Sequence, residues 1–444
     1  ITKKGWKVME AAEALFRRYT HQREQVTPEK NGKLQDVLKF VNFKNPTDRL
    51  LFLTYLVGSL FPDVPRCLII AVGVQGSAKS TLLRVARSLI DPSRIELLKM
   101  RSSIDELSQM AAHHYCLYLD NLSYLSDSGS DSLSGFVTGL GFTKRKLFTD
   151  EEDVIFELKV AVGISGINLV AQKADLLDRC LIFSLDRISD NSRLEEKVFW
   201  TNFEKEKPKI LGGIFDILSK TLEISPNIEL TDKPRMADYA RVAAGAAVAL
   251  GKEPQEFLEA FRLNVQRQNQ AAIDSSPVAQ TILEFMSDKD EWEGPSSGLY
   301  DRLKAIAENN KFQLGGSTGF PRSSSWLWRK INLVKTNMSA LGIEAEIGKE
   351  VTNNVIKLTK SQRLNASNVS NASSQPQKPM EADMEADGES ENASINASIV
   401  QNASSLKQPR IGSMEAKEVV LHSPYSKGFA EATDKDIEDF FDKK

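Results

Sequence analysis

The sequence predicts an α/β fold: a parallel sheet built around a phosphate-binding loop, followed by an all-helical region, a compact basic unit and a low-complexity tail. Three observations predict it. Four continuous apolar runs of strand length, "RCLIIAVGV", "HYCLYLDNLS", "VAVGISGIN" and "RCLIFSLD", alternate with helical patterns, as strands buried on both faces of a parallel sheet do. The glycine-containing stretch "GVQGSAKST" joins the first run directly to an amphipathic helical pattern, the strand–loop–helix context of a phosphate-binding loop. After Ser361 the chain becomes polar and repetitive and nearly free of aromatic residues, which is the composition of a disordered linker.

Taken in order, residues 1–60 read as an N-terminal helical segment, with "KLQDVLKFVNF" and "DRLLFLTYLVGSLF" spaced as amphipathic helices. Residues 61–190 hold the four strands and the loop. Residues 191–286 are helical throughout, clearest in "RMADYARVAAGAAVALG" and "PQEFLEAFRLNVQRQNQAAI". Residues 287–360 read as helix, helix and β-hairpin, the pattern of a winged helix. Residues 361–444 form the tail, with nine basic and fourteen acidic residues, whereas residues 292–360 carry ten basic and six acidic ones. The whole chain of 444 residues has a formal charge of only −3, so bulk charge names no partner. The three cysteines, Cys67, Cys116 and Cys180, sit beside apolar runs without metal-ligand spacing. They read as buried thiols of a reducing, cytoplasmic setting. No apolar run reaches membrane-spanning length.

In a phosphate-binding loop, successive backbone N–H groups wrap the phosphates and the following helix points its positive end at them. Here the loop runs Gly73, Val74, Gln75, Gly76, Ser77, Ala78, Lys79, Ser80, Thr81. Gly73 and Gly76 permit the turn, Lys79 is placed for the β- and γ-phosphates of ATP, and Ser80 for Mg²⁺. Ala78 stands where the usual pattern has glycine. Alanine is compatible with a helix-like backbone there, but a positive φ would carry a cost. The second strand ends in Asp120, the acidic position that holds magnesium through water. Asn121 follows it and can orient a water but cannot take its proton.

The order of motifs resembles an AAA+ ATPase close to superfamily 3 helicases, in particular the primase-helicase ATPases of phages and integrated mobile elements. The pieces that carry the resemblance are "GVQGSAKSTLLRVARSLIDP", "YLDNLSYLS", "GFTKRKLFTDEEDVIF", "GINLVAQKADLLDRCLIFSL" and "KPRMADYARVAAG". The resemblance spans roughly residues 35–360. It implies a polar residue at the end of the third strand that senses the γ-phosphate, with Ser165 the better placed and Asn168 the second candidate. It implies that Arg179 acts as an arginine finger on the nucleotide of a neighbouring subunit, against the plainer reading of an ion pair with Asp175 or Asp178. The finger reading requires an oligomer, a hexamer-like ring. A hairpin at "KRKLFTDEEDVIFELK" corresponds to one that grips DNA in the ring's pore. Its basic arm, Lys144, Arg145 and Lys146, suits that task, while its acidic tip repels phosphate.

In the basic unit the second helix is the expected recognition element. Arg322, Ser324, Trp328, Arg329 and Lys330 are its candidate DNA contacts, with Lys335 and Lys349 on phosphates, a serine as N-cap, and Trp326 in the core. The last residues, "ATDKDIEDFF", place Ile437, Phe440 and Phe441 at the spacing of a sliding-clamp-binding peptide, with Asp434 replacing its leading glutamine. The leading expectation is an ATP-driven DNA motor: a replicative helicase, or the helicase part of a primase-helicase. Two alternatives stay open, a slow nucleotide-dependent switch on DNA and a signalling ATPase whose C-terminal unit binds protein.

Overall fold

The computed structural model describes residues 1–9, 19–101, 103–145, 153–167, 173–231, 233–316, 319–350 and 353–361. Its centre is a four-stranded parallel sheet of β1 (Leu68–Val72), β2 (Cys116–Leu119), β5 (Ala161–Gly166) and β6 (Cys180–Ser184), in the order β2-β5-β1-β6. The strand after the loop-bearing β1 is therefore not its neighbour: β5 lies between them. These strands are buried along nearly their whole length, which is why they read as unbroken apolar runs. A separate antiparallel pair, β3 (Leu140–Arg145) and β4 (Asp153–Leu158), sits between β2 and β5 in sequence.

Helices cover both faces of the sheet. On one face α1 (Pro46–Gly58), α2 (Lys79–Ile90), α6 (Glu196–Ile224) and α7 (Ala237–Ala249) enclose a core with Ile69, Tyr118 and Phe183. On the other, α3 (Ile104–His113), α4 (Asp127–Thr138) and the short α5 (Ala174–Leu177) pack on Ile70, Leu117 and Ile164. The N-terminal segment is part of the first core: Leu34, Val37 and most of α1 are buried in it. Residues 34–40, which the periodicity predicts as an amphipathic α-helix, form a 3-10 helix. They lie directly on α6, where a Cβ on Gly213 would stand 2.3 Å from the Leu34 backbone nitrogen. Glycine is required there because backbone meets backbone.

The segment before it is clamped by aromatic and imidazole rings. His21 and His114 lie 3.9 Å apart, centroid to centroid, and an Arg87 guanidinium N–H donates to His114 Nδ1 at 2.9 Å. Burial, then the Arg87 charge, lowers the His114 pKa to about 3 from its ordinary 6.5. The unfolded chain therefore binds the extra proton between those values, and stability falls as pH drops from 6.5 towards 3. Thermal melts of the parent and of His114→Gln should diverge below pH 6.5, with the parent losing more. Parallel curves would contradict a buried neutral imidazole.

α8 (Pro254–Asp274) runs beside the edge strand β6 and closes its open side. Asn264 accepts from the Ile182 N–H (2.9 Å) and donates to the Ile182 carbonyl (2.8 Å), and Gln268 donates to the Cys180 carbonyl (2.8 Å). Both side chains are buried. Asn264→Ala should cost roughly 1–3 kcal/mol for each backbone group left unpaired, measured by denaturant unfolding. A change below 0.5 kcal/mol on that scale would mean that other groups satisfy β6.

A third core follows. It joins α9 (Pro277–Phe285), α10 (Ser296–Asn309) and α11 (Ser324–Ala340) to a three-stranded antiparallel sheet, β7 (Glu291–Pro295), β8 (Ile343–Glu350) and β9 (Asn353–Lys360), ordered β7-β9-β8. Helix α9 and Ile273 at the end of α8 belong to this core, so the apolar boundary falls before the Ser287 that begins the basic unit in sequence. Among the described residues no helix is long and apolar enough to cross a membrane. The three cysteines are free and buried.

Candidate functional site

The loop follows the C-terminal end of β1 and leads into α2. Gly73 has no room for a side chain: a Cβ there would lie 2.6 Å from the Leu185 carbonyl oxygen and 2.6 Å from Ser77 Oγ. Gly76 has φ +80° and lies under Arg193, whose Nη2 stands 3.1 Å from where a Cβ would be. Ala78 adopts φ 65°, ψ 30°, the left-handed region. The helix-like geometry expected for alanine is thus replaced by the conformation that glycine takes without cost in the usual pattern. For an L-residue it costs on the order of 1–2 kcal/mol. Ala78→Gly should therefore be at least as stable as the parent, the relief being partly offset by a freer unfolded chain. Ala78→Val should be less stable than either, since β-branched residues fit this region worst. Thermal denaturation of the three ranks them, and the reverse order would show that the loop relaxes.

Lys79 opens α2, and its Nζ donates to the carbonyls of Gly73 (2.7 Å) and Val74 (2.9 Å). Burial lowers its pKa and the Asp120 charge opposes that. Ser80 Oγ donates to Asp120 Oδ1 at 2.8 Å, and Ser165 Oγ donates to the same oxygen. Ser165 Oγ also accepts the Asn121 N–H at 2.9 Å. The hydroxyl of the buried Ser165 is thus engaged in holding the end of β2, a positioning arrangement that the sensing role read from the sequence did not include. Asn121 is exposed and has φ 54°. Asparagine is among the few non-glycine residues enriched in that region, which gives a backbone reason for asparagine rather than glutamate here. Thr81 continues α2, half-buried. Asn168 lies outside the described residues.

The donor set suits a hydrated Mg²⁺ bound together with phosphate. Ser80 and Asp120 present two hard oxygens, and among the described residues no cluster of three or more His, Cys, Asp or Glu could hold a metal by itself. Mg²⁺ prefers few protein ligands, the rest being water and phosphate. The buried Ser77 Oγ has no hydrogen-bond partner among the described residues. Beside the loop lies a cavity of about 360 Å³ whose lining includes Gly73, Val74, Lys44, Arg187 and Arg267. Arg267 is tied at 2.5 Å to Asp48, whose carboxyl is pushed up by burial despite that arginine. Lys44, Arg187, Arg193 and Arg267 were not singled out in the sequence. They come from three separate segments that only the fold brings together, Arg187 and Arg193 sharing the stretch between β6 and α6.

Arg179 lies elsewhere. It precedes β6, which runs parallel to β1 with Leu68 opposite Cys180 and Val72 opposite Ser184. Arg179 is therefore at the opposite end of the sheet from the loop, roughly 16 Å away along five strand residues. Its Nη2 donates to Asp175 Oδ1 at 3.3 Å. Asp175 also pairs with Arg235, which reaches Asp178 at 3.1 Å.

Of the hairpin candidates, Lys144 pairs in register with Val154 and Arg145 with Asp153; Lys146 and the tip lie outside the described residues. In the C-terminal unit Arg322 and Arg329 are exposed, whereas Ser324, Lys330 and Lys335 are half-buried. Trp326, expected in the core, is 53% exposed. The buried face of α11 is Leu327, Ile331, Val334 and Met338, and Trp326 sits one residue out of phase with it. The expected serine does occupy the N-cap, as Ser323, but its hydroxyl is paired with Ser325 Oγ and makes no capping bond to a backbone N–H among the described residues. Ile437, Phe440 and Phe441 lie outside the described residues.

The family model for the replication protein of actinomycete integrative conjugative elements matches residues 34–269, more than half of the chain. The chain belongs to this family. The model for the C-terminal domain of the same RepA proteins matches residues 278–375, and its start coincides with α9 and the third core. Among solved structures, two of the C-terminal region of NrS-1 are similar at TM-score 0.36 and 11% identity, each covering 76% of this chain and 77% of that one. A JCV helicase structure is similar at TM-score 0.25 and 11% identity, covering 45% and 66%. No curated protein matches the chain. The protein is thus a replication protein of a conjugative element, with a parallel α/β core.

Proposed function

We propose that the protein is an ATP-driven, ring-forming DNA motor, a replicative helicase or the helicase part of a primase-helicase. The observation that carries this is the convergence of Lys79, Ser80, Asp120 and Ser165 at the ends of β1, β2 and β5, beside a loop whose Gly73 leaves no room for a side chain. In this reading the backbone N–H groups from Gly76 to Thr81 cradle the phosphates of ATP. Lys79 exchanges its two carbonyl partners for phosphate oxygens. Ser80 and Asp120 hold the magnesium ion, which neutralises charge on the transferred phosphoryl group. Ser165 keeps Asp120 in place. Asn121 orients the attacking water. Arg179 acts on the nucleotide of the next subunit, because it is at the wrong end of the sheet to reach its own. The unit from α9 to β9 is read as a winged helix that engages DNA, and Ile437, Phe440 and Phe441 as a docking peptide for another replication protein.

The test is ATP hydrolysis by the purified chain, with and without single-stranded and forked DNA, at two protein concentrations. Turnover stimulated by DNA and rising per subunit with concentration supports the assembled motor. Slow turnover indifferent to DNA supports the second reading, an ATP-dependent switch, which the exposed Asn121 in place of a carboxylate favours.

A further inference from the structure

α11 is packed on most of its circumference, against α8, α9, α10 and β8, with the short α5 also touching it. This decides which of its residues can meet a partner. Lys330 is half-buried within the field of Asp127 on α4, and Asn337 Nδ2 donates to Asn269 on α8 at 3.0 Å. That side of the helix faces the ATPase-like core. What remains open is a single stripe, Ser325, Arg329, Asn332 and Thr336, with Trp326 beside its leading end. The spacing of four, three and four keeps these side chains on one face.

We propose that this stripe reads base edges in the major groove of duplex DNA, with Arg329 and Asn332 as its specificity-determining residues. The inference rests on the DNA-binding role proposed above and adds which residues choose the sequence. Charge is the first argument. Between Asn309 and Ile343 the chain carries Lys311, Arg322, Arg329, Lys330 and Lys335 and not one Asp or Glu; of these Arg329 stands on the stripe itself, and no carboxylate of this segment opposes a polyanion there. Side-chain chemistry is the second. An arginine fork fits guanine O6 and N7, an asparagine amide fits adenine N6 and N7, and a threonine methyl fits the thymine methyl. Preorganisation is the third. The Arg329 guanidinium lies over the Trp326 ring, 5.2 Å from its centroid, and makes no ion pair among the described residues. It is held outward with its donors free for a new partner. Geometry then fixes the order of the site. Arg329 and Asn332 are about 4.5 Å apart along the helix axis at 1.5 Å per residue, which matches base pairs that are adjacent or one apart.

The experiment is selection from a random duplex library with the full chain, followed by competition binding of Asn332→Ala and Arg329→Ala. The parent is expected to enrich one sequence in which a G·C pair lies within two base pairs of an A·T pair. Asn332→Ala should lose about 5- to 150-fold of the preference at the A·T position while keeping the parent's affinity for unselected duplex. Arg329→Ala should relax the G·C position. An enriched sequence whose preferences both variants leave unchanged would overturn the assignment. So would salt-sensitive binding with no sequence enriched, which would leave the DNA-binding role standing. Absence of DNA binding at any salt would remove that role as well.

Discussion

Lys79→Ala is expected to lower ATP turnover by at least about 10²- to 10³-fold, the scale of losing one charge-stabilising donor, with little change in thermal stability. The side chain contributes two hydrogen bonds to loop carbonyls on the half-exposed rim of the sheet. Removing them leaves the buried strands and the packed face of α2 untouched. In the proposed reading the loss falls on phosphate binding and transfer, because the one charged side chain of the loop disappears from beside the backbone N–H groups that cradle the phosphates. Coupled-assay turnover, fluorescent-nucleotide binding and a melting curve measure the three quantities. Normal turnover in this variant would sink the loop assignment, and a collapsed melting curve would show that Lys79 holds the fold instead.

Arg179→Ala is expected to lower turnover by about 10³- to 10⁵-fold, the range of a trans-acting arginine on a transferring phosphoryl group, while nucleotide binding remains at the parent level. The two variants should also complement each other. In a mixed assembly, a subunit lacking Arg179 offers an intact loop, and a neighbour lacking Lys79 offers an intact arginine. Partial recovery of turnover on mixing is the expected result. If mixing recovers nothing while both variants still assemble, Arg179 is confined to its ion pair with Asp175, a carboxylate it shares with Arg235.

The four sheet strands were legible because burial on both faces makes them unbroken apolar runs, and the loop was legible because its residue types follow from phosphate geometry. Other features were hidden for identifiable reasons. The amphipathic pattern at Leu34–Phe40 has the same three-and-four spacing whether the turn is α or 3-10, and only contact with α6 decides. Ala78 betrays nothing of its positive φ, since the left-handed conformation is not one that alanine prefers. Trp326 is large and apolar, and nothing local reports that the phase set by Leu327, Ile331 and Val334 leaves it outside. The cations around the cavity come from positions 44, 187 and 267, and no local pattern unites residues that tertiary structure alone assembles.

The placement of α8 has a mechanical consequence. The helix is 21 residues long, about 31 Å at 1.5 Å per residue. Within a few residues of one another it bears Arg267 and Ala271 on the wall of the cavity, Gln268 on the edge strand, Asn269 against α11, and Ile273 in the next core. An intact α-helix is stiff along its axis, so these positions move as one body, like marks on a connecting rod. A displacement of the helix axis at Arg267 would be felt at Asn269 and α11, with no loop in between to absorb it.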